Sequence, residues 1–224
     1  MKTKLITITL ATTLATSTMF ALPVTTVENS TIENTNTDVT NEATNKSKIN
    51  SGIEAVGATI KDSEIYNTNE NVTNTAKDES LIVSGISLNK AQVTDGSYIE
   101  NINRDVTNEA INKSKIVSGI EANGAEIKNS TITNENTGVE NYAKDESLIV
   151  SGISLNNAKV SDGSTISNTN KDVYNEASNK SVIISGISAN NAQIKNSTIT
   201  NTNTGVTNIA KDGSEINSGI NLGY

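Results

Sequence analysis

Hydrophobic and polar residues alternate along this chain in short runs. The runs return at a fixed phase, as a Ser-x-Ile triplet whose isoleucines include Ile32, Ile49, Ile65, Ile82, Ile99, Ile116, Ile132 and Ile149. Two triplets fall in each unit of 33 or 34 residues, and each unit closes on Ser-Gly-Ile, with glycines at Gly52, Gly85, Gly119, Gly152, Gly186 and Gly219. Apolar positions recur every second residue, not at the i, i+3, i+4 spacing of a helix, and β-branched Thr, Ile and Val dominate, so the pattern predicts strands. Stretches such as Asn69-Glu70-Asn71 and Lys77-Asp78-Glu79 interrupt them. The reading is about four short strands per unit, joined by polar corners.

Self-similarity at this period marks a repeat architecture. From Thr25 the chain divides into six units, 25–57, 58–90, 91–124, 125–157, 158–191 and 192–224, with Asp95-Gly96 and Asp162-Gly163 absorbing one extra residue in the third and fifth. Units alternate in kind, so a 67-residue pair is the larger period, and Ala76–Asn89 recurs identically as Ala143–Asn156. The expected fold is all-β: a parallel β-helix-like solenoid over 25–224.

Two stackings fit these numbers, six rungs of 33–34 residues or twelve of 16–17. Three asparagine columns favour the first. They run through Asn34, Asn67, Asn101, Asn134, Asn168 and Asn201; through Asn36, Asn69, Asn103, Asn136, Asn170 and Asn203; and through Asn41, Asn74, Asn108, Asn141, Asn175 and Asn208. The alternation points at least some of these amides inward, where a polar group needs a partner. In-register parallel stacking brings each amide within reach of its own copy, about 4.7–4.9 Å away. In twelve rungs like amides would lie two spacings apart and no ladder would form. The candidate structural residues are therefore the asparagine columns, the isoleucine column Ile32, Ile65, Ile99, Ile132, Ile166 and Ile199, and the six glycines, which fit either a tight passage where neighbouring segments approach closely or a simple bulge.

Composition supports a stack over a conventional core. Aromatic residues make up 3%, Trp, Cys and His are absent, and the one Phe is Phe20. Without Cys, backbone ladders and packing must hold the fold. Lys2 and Lys4, an apolar run from Leu5 to Phe20 and small residues near Ala21 read as a secretory signal peptide over 1–24, cleaved near Ala21 or soon after. Without Lys2 and Lys4 the chain keeps 15 basic and 25 acidic residues, a net charge near −10. That disfavours nucleic acid as a partner.

Absent His and Cys, the usual nucleophile–base pairs and most transition-metal sites are excluded. The carboxylates Asp62, Asp78, Glu79, Asp95, Asp145, Glu146 and Asp162 fall at corners beside Lys and Ser, with no pair set for glycoside chemistry. The expectation is no catalysis, no cofactor and no metal. Three functional classes stay open: a self-assembling fibre or adhesive subunit; an ice-binding solenoid, suggested by Thr131-Ile132-Thr133 and Thr198-Ile199-Thr200 but interrupted at Glu64, Tyr66, Tyr98 and Glu100; and a polysaccharide-processing β-helix. A monomeric surface adhesin is a variant of the first.

The segments Asn-x-Asn-x-x-Val-x-Asn-x-Ala and Ser-Gly-Ile, repeated from Thr25 to Tyr224 behind a leader, resemble secreted bacterial functional-amyloid subunits, those of the Fap fimbriae and more distantly the curlins. The resemblance implies an extracellular or cell-surface role in fibre, attachment or biofilm matrix, reached through the periplasm. The expected partner is the protein itself, stacked head to tail, with cell-surface or matrix components beside it.

Overall fold

The computed structural model describes residues 4–11, 21–23 and 26–223. The protein is a parallel β-solenoid of six rungs. Each rung carries five strands, one more than the alternation suggested; in the second they are Thr59–Lys61, Glu64–Glu70, Thr73–Lys77, Leu81–Val83 and Ile86–Asn89. We number the corresponding five sheets faces 1 to 5. Pairing within every face is parallel and in register at 33 or 34 residues, as in Asn67↔Asn101 and Asn101↔Asn134. The six-rung stacking is therefore the one adopted, and the twelve-rung alternative does not occur. Six spacings give a stack about 29 Å tall.

The fifth strand escapes a periodicity reading because face 1 and face 2 are separated only by Asp62 and Ser63. Inward positions run Ala58, Ile60, then Ser63, Ile65, a slip of one residue across the corner. The slip is made at Asp62, whose φ of 46° turns the chain through the left-handed region. Asn and Asp visit that region more readily than other residues. Asn29, Asp38, Asn71 and Asp105 do the same at other corners, and the corner between faces 3 and 4 uses two left-handed residues in succession, such as Asn112 and Lys113.

Three apolar columns fill the interior. The widest joins Ile60, Ile65, Ile86, Leu88 and their equivalents from faces 1, 2 and 5. A second joins Ala76, Ile82 and their equivalents, and a third is the valine column Val39, Val72, Val106, Val139 and Val173. Ile65, Ile99, Ile132 and Ile166 are buried, whereas Ile32 and Ile199, in the end rungs, are partly open. Each fully buried Ile stabilises the stack by about 1.5–3 kcal/mol relative to exposure.

The leader expected as a signal peptide falls partly outside the described residues. Its described stretches lie on the first rung: Lys4–Ala11 pairs in parallel with Ser30–Thr37 on face 2, and Ala21–Pro23 pairs with Glu54–Val56 on face 5.

Candidate functional site

The interior between faces 2, 3 and 5 is polar, and its parts come from sequence-distant segments brought together by the rung. In the first two asparagine columns each Nδ2 of rungs one to five donates twice. One N–H goes to Oδ1 of the equivalent residue in the next rung, as in Asn69 to Asn103 (2.8 Å) and Asn103 to Asn136 (2.8 Å). The other goes to the carbonyl of the serine in Ser-Gly-Ile, so that Asn101 and Asn103 both donate to the Ser118 carbonyl, at 2.8 and 3.1 Å. The third column forms the same ladder, Asn74 to Asn108 (2.9 Å) and Asn108 to Asn141 (2.8 Å). All three columns point inward, and ladder members in the middle rungs are buried.

The asparagines were legible in the sequence as columns, but their second partner was not. Nothing in the primary pattern says that a carbonyl some 15 or 17 residues downstream will sit between two ladders. The serines of Ser-x-Ile also have a role the pattern left unassigned. Their backbone N–H groups donate to the hydroxyl of the serine one rung on, as in Ser80 to Ser114 (3.1 Å) and Ser114 to Ser147 (3.1 Å).

The glycines are where tight stacking requires them. A Cβ built on Gly52, Gly85, Gly119, Gly152 or Gly186 would overlap the carbonyl oxygen of the glycine in the next rung, so no larger residue fits. Gly219 is different. A Cβ there meets nothing within 4 Å, since among the described residues no strand stacks on it.

Ladder geometry gives the two ends of the stack different chemistry. Since each N–H donates toward the following rung, the first rung keeps amide oxygens without donors: Asn36 Oδ1 and Asn41 Oδ1 are buried and unpaired. In the last rung Asn201, Asn203 and Asn208 donate to Ser218, and each Nδ2 retains an N–H with no asparagine to receive it. Asn203 and Asn208 are exposed.

Outside, charge follows the two-unit alternation. Identical side chains in register would lie about 4.7–4.9 Å apart, where like charges repel by roughly 1 kcal/mol even in bulk water. At the corner between faces 3 and 4, lysine and glutamate therefore alternate, Lys46 with Glu79 (3.5 Å) and Lys113 with Glu146 (3.7 Å). Asn112 donates to Asp78 and Asn179 to Asp145, both at 2.7 Å. A shallow groove runs along this corner past Asn112, Lys113, Asp145 and Glu146. One like-charge step remains, Asp62 beneath Asp95, and Lys61 lies 3.8 Å from the Asp95 carboxylate.

Four tyrosines lie on the outer faces in diagonal pairs, Tyr66 with Tyr98 and Tyr142 with Tyr174, ring centres 5.8 and 5.6 Å apart. Burial and a hydrogen bond to Glu140 push the Tyr142 phenol up to about 12. Hydrogen bonds from Lys211 (2.7 Å) and Tyr174 (3.0 Å) hold Glu176 below the ordinary carboxylate range. Among the described residues no group of three or more His, Cys, Asp or Glu side chains is placed to hold a metal ion, and no helix is long and apolar enough to cross a membrane.

No protein-family model matches the chain, and no curated protein matches it. Among solved structures, HetL, a pentapeptide repeat protein involved in heterocyst differentiation regulation in the cyanobacterium Nostoc sp. strain PCC 7120, is similar at 8% identity. The match covers 84% of this chain and 90% of HetL with a TM-score of 0.17, at which the likeness carries no argument.

Proposed function

We propose that the protein is a secreted, non-catalytic structural subunit that stacks head to tail on copies of itself, forming a fibre or an adhesive or biofilm-matrix element at or beyond the cell surface. The observation that carries this reading is the polarity of the asparagine ladders. Free N–H donors on the last rung and free amide oxygens on the first are complementary, so one copy set on another continues three ladders at once. Head-to-head contact would face donors with donors. The contact is heterologous and does not close, so it propagates, and once the leader leaves faces 2 and 5 of the first rung the strand edges of both end rungs template it. The basic and apolar leader supports export.

The test uses the chain freed of residues 1–24, with electron microscopy and fibre diffraction for filaments carrying the spacing of parallel strands along their axis. Rungs two to five are held only by neighbours of their own kind, so the freed chain contains every contact they use. Gly219→Ala is the separating variant. Its new methyl is unopposed within one copy, yet it would meet the Gly52 carbonyl of the next. Filaments from the parent chain and none from a normally folded Gly219→Ala support the reading. A parent chain that stays monomeric at high concentration across salt and pH overturns it.

One observation favours a second reading, an ice-binding face. Thr131 and Thr133, Thr165 and Ser167, and Thr198 and Thr200 stand in register on face 2 of three successive rungs. Thermal hysteresis in dilute solution checks it.

A further inference from the structure

Lys195 and Glu215 make no ion pair among the described residues. Both belong to the last rung, and each ends a column whose first member has the opposite charge. The column of Glu215 runs Lys48, Leu81, Lys115, Leu148, Val182, Glu215. That of Lys195 begins at Glu28 and passes through Lys61; Lys195 follows Ile194, which pairs with Val160. We infer that charge, as well as amide polarity, fixes the junction between stacked copies: Lys195 and Glu215 of one copy meet Glu28 and Lys48 of the next, in the same register that relates rungs within the chain. This rests on the stacking reading and specifies its partner surface.

The remaining charges agree. The last rung also carries Lys211 and Asp212, which in this register face Thr44 and Asn45. Asp212 then stands to Asn45 as Asp78 stands to Asn112, an acceptor for the asparagine amide one rung on. Rung-one charges find neutral or opposite neighbours too: Asp38 meets Gly205, Glu42 meets Ile209 and Glu54 meets Asn221. No like charges meet at the junction. The arrangement depends on an even number of rungs, because the alternation would otherwise bring two units of one kind together.

A charge-swap series on the chain freed of residues 1–24 tests the inference, each variant first shown by circular dichroism to be folded. Glu215→Lys places lysine against Lys48 of the next copy and raises the concentration needed for filaments about tenfold or more. Lys48 also pairs with Glu54 in its own rung (2.8 Å), so the rescue combines Glu215→Lys with Lys48→Glu and Glu54→Lys, which keeps that pair, restores the opposite charge across the junction and returns the concentration toward the parent value. In 1 M salt the difference between Glu215→Lys and parent shrinks, since screening then acts within about 3 Å. A parent that forms filaments while Glu215→Lys matches it, or a triple variant no better than Glu215→Lys, overturns the register and leaves stacking intact. A parent that forms none overturns stacking itself, so the two failures are distinguishable.

Discussion

A buried amide is tolerable only when its N–H groups and its oxygen are all engaged, and in a ladder each residue is the partner of two others. Replacing Asn103 by Leu leaves the Asn69 N–H and the Asn136 oxygen without partners. Replacing Asn103 and Asn136 together leaves the Asn69 N–H and the Asn170 oxygen unpaired, with the Ser118 hydroxyl that the loss of Asn103 alone already frees. Each orphaned group costs about 1–3 kcal/mol, so the double variant is expected to lose little more than either single one, well short of their sum. Denaturant midpoints of the three variants measure this; strict additivity would mean the columns do not act as ladders. Titration gives a second expectation at this scale. The Tyr142 phenol is raised, so its neutral form is favoured by the fold; its contribution is complete below the ordinary phenol range and is lost as pH rises through about 12. Glu176 has the opposite sign, its depressed carboxyl contributing above the ordinary carboxylate range and losing that contribution in acid. Alkaline melts should therefore fall less steeply for Tyr142→Phe than for the parent, with tyrosinate absorbance reporting the missing high-pH step.

Between one rung and the next, the decisive residues are those without side chains. Gly119→Ala drives a methyl into the Gly152 carbonyl of the following rung, and such overpacking costs about 1–3 kcal/mol, occasionally more. Its melting temperature should drop clearly where that of Gly219→Ala does not. The close approach was legible in the sequence because Ser-Gly-Ile recurs without exception, and so were the rung size and the buried amides, because both depend on one residue type returning at one phase. The fifth strand and the serine carbonyls were not. A left-handed residue at Asp62 shifts the alternation by one without changing composition, and a carbonyl is common to every residue, so no letter of the sequence marks the one that two asparagines share. Metal removal belongs to this scale as well. The Asp-Gly corners of the third and fifth rungs are served by lysines, Lys61 at 3.8 Å from Asp95 and Lys128 at 3.3 Å from Asp162. A chelator is therefore expected to leave circular dichroism and the melting curve unchanged, and a large drop would point to a bound cation at those corners.

Across the whole molecule, stability is a sum over like interfaces, as in other stacked repeats, and the two end rungs differ from the rest in having another rung on one side alone among the described residues. The leader matters here because Lys4–Ala11 takes the free edge of Ser30–Thr37 and Ala21–Pro23 that of Glu54–Val56. Opposite Asn34 and Asn36 it places Ile8 and Leu10, residue types with no amide to offer. If copies stack as proposed, then in polymer terms a chain freed of its leader would be a bifunctional monomer and one that keeps it a monofunctional one, joining a filament through its last rung and admitting no successor. Leader-bearing chains mixed into freed ones should act as stoppers, with mean filament length falling as their fraction rises. Gly219→Ala chains without the leader should stop growth at the opposite end. Length distributions from micrographs of the two mixtures, with one terminus labelled, distinguish a polar filament with two separately blockable ends from an aggregate that has none.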